Sequence, residues 1–154
     1  MRALLLVAGL AASLMVPPAD AKPNFSGVWK LDLSRSEFGP LRRPKSRTDR
    51  IAHQEPSLKL NITQQGRNGE FSYELRYTTD GRENHNDMLG NPLRSRLKWA
   101  DDVLVIETQG TLNGNDVSIQ DHWTLSTDGN TLTVQRHLSG SRGATEQKLV
   151  FDKQ

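Results

Sequence analysis

Apolar and polar residues alternate along most of this chain. Lys59 and Asn61 separate Leu58, Leu60 and Ile62, and Ser72, Glu74 and Arg76 separate Phe71, Tyr73, Leu75 and Tyr77. Trp123 with Leu125, then Leu132 with Val134, continue the rhythm. A period of two sends every second side chain to one face and predicts half-buried strands. No segment carries the longer stripe of an amphipathic helix. Turn-forming pairs punctuate the strands: Arg67-Asn68 before Gly69, Asp80-Gly81, Gly90-Asn91, Asn113-Gly114 and Asp128-Gly129. Asn-Gly and Asp-Gly favour the positive φ angles of tight hairpins, and a turn about every ten residues is the mark of a β sandwich or barrel.

The turns also predict which residues face each other. Asp80-Gly81 sets Tyr77, Leu75 and Tyr73 opposite Asn84, Asn86 and Met88. Gly90-Asn91 sets Met88, Asn86 and Asn84 opposite Leu93, Ser95 and Leu97. Asp101-Asp102 pairs Trp99 with Leu104 and Leu97 with Ile106, and Asn113-Gly114 pairs Leu104 with Trp123 and Ile106 with Asp121. Asp128-Gly129 pairs Leu125 with Leu132, Trp123 with Val134 and Asp121 with Arg136. A slip of one residue would flip a strand, yet every hairpin delivers its apolar residues to the same face. Ten strands are expected, near residues 25–34, 48–54, 57–64, 70–78, 82–89, 92–99, 103–111, 115–126, 131–139 and 144–152. The fold class is therefore all-β, an antiparallel up-and-down meander of about ten strands closing into a barrel, its first and last strands meeting. The alternative is a partly open meander folded into two stacked sheets.

Composition narrows the chemistry. The 154 residues contain no cysteine, which excludes disulfides, thiolate metal sites and a thiol nucleophile. A net charge of +2 does not resemble a bulk nucleic-acid binder. Residues 1–21 read as a secretory signal peptide: Arg2, an apolar stretch from Ala3 to Val16, the break at Pro17-Pro18, and small residues at Ala19 and Ala21 before the cleavage point. That leaves residues 22–154 as a single β-barrel domain, exported to a periplasmic or extracellular space, with no transmembrane segment.

The segment Phe25-Ser26-Gly27-Val28-Trp29-Lys30-Leu31, followed by a meander of short strands, resembles the opening of the calycin superfamily of lipocalins, fatty-acid-binding proteins and avidins. The resemblance implies that Gly27 and Trp29 are structural, the tryptophan plugging one barrel end beneath an arginine from a late strand, for which Arg136 is the candidate. Trp123 to Gly129, read as Trp-x-Leu-Ser-x-Asp-Gly, is also similar to a hairpin of small exported bacterial proteins, a likeness that implies no particular activity. Fatty-acid-binding proteins insert a helical hairpin after the first strand. Here residues 34–47 contain Gly39, Pro40 and Pro44, so no such hairpin is expected.

Among the inward positions stand polar ones: Tyr73, Tyr77, Asn84, Asn86, Ser95, Asp121 and Arg136. A barrel interior holding so many polar groups is either internally paired or hydrated around a ligand. Asp121 opposite Arg136 predicts a bidentate ion pair that fixes the hairpin register; the alternative is that Arg136 with either tyrosine receives a carboxylate or other oxyanion of a ligand. Asn84, Asn86 and Ser95 are candidate ligand contacts, the alternative being a watery seam or an open barrel edge. His85, His122 and His137 face outward and His53 inward, without a metal-binding spacing. No catalytic motif is present, and the acids Asp49 and Asp121 show no spacing of an acid–base pair. Arg42, Arg43, Lys45, Arg47 and Arg50 form the one basic cluster, placed in the long first connection as a rim for peripheral contact with membrane headgroups or an anionic ligand. The expected function is an exported small-molecule-binding protein that holds an amphipathic or anionic ligand in the barrel, without cofactor or metal. The alternatives are an isomerase or hydrolase using the same cavity, or a non-catalytic module of the cell envelope.

Overall fold

The computed structural model describes residues 21–154, so the signal-peptide reading falls almost wholly outside the described residues. Ten strands follow one another: β1 (Gly27–Leu31), β2 (Ser46–Gln54), β3 (Ser57–Gly66), β4 (Gly69–Thr78), β5 (Glu83–Met88), β6 (Asn91–Ala100), β7 (Val103–Leu112), β8 (Asn115–Leu125), β9 (Thr131–Gly140) and β10 (Gly143–Lys153). They form one antiparallel sheet in the order β4-β3-β2-β1-β10-β9-β8-β7-β6-β5. First and last strands meet as expected, Trp29 opposite Lys153 and Leu31 opposite Phe151. Among the described residues there is no helix, and residues 32–45 cross between β1 and β2 as turns plus an isolated bridge from Glu37 to Lys148.

The sheet curls until β4 and β5 lie side by side, but they share no ladder. The expected pairing of Tyr77, Leu75 and Tyr73 with Asn84, Asn86 and Met88 is thus incorrect. The residues around Asp80-Gly81 are held elsewhere: the Thr79 N–H donates to the Pro56 carbonyl and the Gly81 N–H to the Leu97 carbonyl, 2.8 and 2.9 Å. The strands leave that corner splayed. Two asparagines span the gap in place of a backbone ladder. Asn86 Oδ1 accepts from the Arg76 N–H at 2.8 Å while its Nδ2 donates to the Arg76 carbonyl at 3.0 Å. Asn84 Oδ1 accepts from the Thr78 N–H at 2.8 Å. A side-chain amide carries the same donor and acceptor as a peptide, so it can satisfy an open edge.

The β5–β6 hairpin needs a second correction. It turns at Leu89-Gly90, with φ of 54° and 86°, and not at Gly90-Asn91. Asn84 therefore faces Ser95, Asn86 faces Leu93 and Met88 faces Asn91. Positive φ at both central residues is the I′ geometry, which a leucine adopts only at a cost. Asp87 Oδ1 accepts the Gly90 N–H at 2.7 Å, and Asn91 Nδ2 donates to the Met88 carbonyl at 2.9 Å. These caps hold the turn one residue earlier than the glycine suggests. The shift moves each partner by two positions, so every side chain keeps its face. The pairings from β6 to β9 are as expected, including Leu104 with Trp123 and Asp121 with Arg136.

The closed end is packed solid. Phe25, Trp29, Leu58, Leu97, Leu104, Leu132 and Phe151 are among the fully buried side chains. Phe25 stacks on Trp99 and meets Trp123 edge-on, with centroids 5.8 and 5.5 Å apart. The Trp29 indole donates to the Phe25 carbonyl at 2.8 Å. Over its ring lies Lys153 of β10, the ammonium 5.5 Å from the centroid. Gly27 has a φ of 148°, a conformation L side chains rarely adopt, which is why a glycine stands two residues before the tryptophan. The cation over Trp29 is therefore a lysine of the last strand, and Arg136 is engaged elsewhere.

Candidate functional site

Above this floor the barrel opens into a cavity of about 450 Å³. Its wall is apolar at two levels. Leu60, Leu75 and Trp123 lie toward the closed end, Ile106 faces Asp121, and Phe71, Met88, Leu89, Leu93, Leu112, Ile119 and Leu138 form a collar at the mouth. Between them runs a polar belt contributed by four strands: Arg47 of β2, Tyr73 of β4, Asp121 of β8 and Arg136 of β9. Strand alternation aims all four inward.

Two ion pairs build the belt. Arg136 donates Nε–H and Nη2–H to the two oxygens of Asp121, both at 2.7 Å. Arg47 does the same to Asp49, two residues along its own strand, at 2.7 and 2.8 Å. Asp49 is almost wholly buried, and the Arg47 guanidinium also covers the Phe151 ring at 5.3 Å. Burial works against each guanidinium's charge, but the facing aspartate outweighs it and holds both arginine pKa values above the ordinary one. Tyr73 and Tyr77 are both pushed up, chiefly because burial disfavours a phenolate. Both tyrosines are therefore neutral near pH 7. The belt offers hydrogen-bond donors without a free base.

The residues expected at the site divide. Tyr73, Tyr77, Asp121 and Arg136 line the cavity. Ser95 is buried beside it, its hydroxyl 2.7 Å from that of Thr108, and Asn84 and Asn86 close the β4–β5 seam. Their hydrogen bonds are spent on the barrel. The sequence reading placed Arg47 on a rim of the first connection, but β2 already begins at Ser46 and Arg47 points inside. Arg50 stands on the outer face of β2, which leaves Arg42, Arg43 and Lys45 in the connection. The pair Arg47–Asp49 was missed. The spacing of two, which places both on one face of a strand, was its signal.

The remaining polar cluster lies at the closed end. His53 Nδ1 accepts the Phe25 N–H at 3.1 Å, so its Nε2–H is free to donate to Glu55, 2.8 Å away. Glu55 also accepts from the Trp99 indole at 3.0 Å and the Thr79 hydroxyl at 2.5 Å. Every donor is matched, and the cluster latches the segment before β1 onto the barrel. Among the described residues, no group of three or more His, Asp or Glu side chains is placed to hold a metal ion.

The fold matches that of several solved β-barrel proteins. A secretory abundant heat soluble protein of Ramazzottius varieornatus matches with a TM-score of 0.65 and 12% identity, over 87% of this chain and 97% of its own. The zebrafish ileal bile acid-binding protein, in complex with cholic acid, gives 0.59 and 15% over 84% and 98%. Human cRBP IV gives 0.53 and 15% over 89% and 100%. No protein-family model and no curated protein matches the chain.

Proposed function

We propose that this chain is an exported carrier that binds an amphipathic small molecule in the mouth half of its barrel. One observation carries the reading: a cavity of about 450 Å³ in which an apolar collar surrounds a polar belt. That volume is in the range of small-molecule sites. A ligand enters polar end first, meets Arg47, Tyr73 and Arg136 at the belt, and leaves its apolar body in the collar. The similarity to a bile acid-binding barrel solved with cholic acid supports the same reading. Both carboxylates at the belt are engaged by arginines, so neither stands free as the base that an isomerase or hydrolase would need. Native mass spectrometry and a panel of environment-sensitive hydrophobic dyes provide the test. Bound ligand or dye, lost when Leu138→Trp fills the collar, is the expected result. No binding by either method would overturn the reading. Export adds a second check, since the mature protein recovered from cells should begin at Lys22.

The mouth itself favours a surface contact. Leu89, at the β5–β6 turn, is 56% exposed and Leu41 40%, and Arg42, Arg43 and Lys45 follow Leu41 along the chain. An exposed leucine followed by cations suits an anionic lipid surface, with an attraction that salt weakens. Among the described residues no helix is long and apolar enough to cross a membrane. Sedimentation with phosphatidylglycerol vesicles, but not with phosphatidylcholine vesicles, is the expected outcome. Equal sedimentation with both would remove the charge contribution.

A further inference from the structure

We infer that the cavity selects a net-neutral ligand carrying a hydrogen-bond acceptor, and discriminates against a free carboxylate. The inference rests on the ligand-binding reading and specifies which amphiphiles it admits. The charged residues of the cavity wall are Arg47, Asp121 and Arg136, and Asp49 lies directly against Arg47. Two cations thus face two anions, each pair joined through both carboxylate oxygens. The wall carries no net charge for an anion to neutralise.

A carboxylate placed at this belt would be a third negative group beside two aspartates, and it would lose its hydration on the way in. A carbonyl, ester or hydroxyl suffers neither penalty. The groups left over at the belt are donors. Each aspartate takes Nε and Nη2 of its arginine, which leaves the Nη1 side of both guanidiniums outside those contacts. Those donors at the belt fit a molecule with an acceptor at its leading end and an apolar body behind.

The experiment compares matched pairs in dye displacement at pH 7.5: glyceryl monododecanoate against dodecanoate, and retinol against retinoate. The neutral member of each pair is expected to bind about tenfold tighter, a conservative figure for bringing a like charge to a closed site. In Asp49→Asn and in Asp121→Asn one guanidinium loses its counter-charge, so the neutral-to-acid preference should fall by about the same factor. Near-UV circular dichroism confirms that each variant is folded, and either variant alone gives the readout. Equal or tighter carboxylate binding by the unmodified protein would overturn the inference, as would a preference unmoved in a folded variant. Both results leave the ligand-binding reading standing. If no dye enters the barrel at all, it is that reading which fails.

Discussion

The two ends of this barrel are made from the same strands and solve opposite problems. At the closed end, Phe25, Trp29, Leu97, Leu104, Leu132 and Phe151 exclude solvent, and His53 and Glu55 there are matched donor to acceptor. At the mouth end, the wall residues Phe71, Ile119, Leu112 and Leu138 are only half-buried, and the chain leaves a cavity between them. Side-chain volume makes the difference. Three tryptophans and two phenylalanines fill the floor, whereas the collar has mostly aliphatic residues spread around ten strands, more than such side chains can fill. Close packing is concentrated at one end and the cavity at the other.

Five experiments sharpen or break that division. Trp29→Ala should cost most, about 4 kcal/mol in denaturant melts, because it empties the floor and strips Lys153 of its partner. A loss below about 1 kcal/mol would mean the floor is not a packed core. Asp121→Ala should follow at about 3 kcal/mol by leaving Arg136 unpaired in the interior, against under about 0.5 kcal/mol for the exposed Lys98→Ala. Equal, small effects would place the ion pair in solvent. Asn86→Ala removes both bonds to Arg76 across the seam and should cost about 1–2 kcal/mol, with faster amide exchange along β4 and β5 than along β1 and β10.

Acid should act on the closed end. Burial alone would raise the Glu55 pKa, but the bonds from Thr79, His53 and Trp99 prevail and hold it below the ordinary 4.5. A carboxylate whose folded value is depressed contributes stability at neutral pH that is lost as the pH falls from the ordinary value through the folded one. Glu55→Gln should flatten the stability profile over that acid range, measured by melts between pH 6 and about pH 3. The smallest stability effect belongs to the mouth. Leu89→Ser should change stability by less than about 0.5 kcal/mol while weakening dye binding, since Leu89 is exposed yet lines the collar. A large destabilisation there would erase the distinction between the ends.

Much of this was legible in the chain. Alternation marks the strands from Leu58 to Val134, and glycine- or aspartate-bearing turns fix the pairings from β6 to β9, including the cross-strand contact of Asp121 with Arg136. Parity made the reading robust, since the misplaced β5–β6 turn moved every partner by two positions and left the inward set unchanged. The seam was not legible, because a ladder and a pair of asparagines replacing one use the same alternating sequence. Nor was the inward turn of Arg47, which sits at the end of a basic loop sequence and becomes a wall residue only because β2 starts one residue before it.

Local preference, then, determined strands, turns and facing side chains, because a residue's place in the two-residue repeat depends only on its neighbours. The tertiary structure decided where the sheet stops, which cation covers Trp29, and that Arg47 joins Arg136 across the interior. Those outcomes depend on how far ten strands curl before β4 meets β5. Curl is a sum of small twists over the whole sheet, and no short segment encodes it.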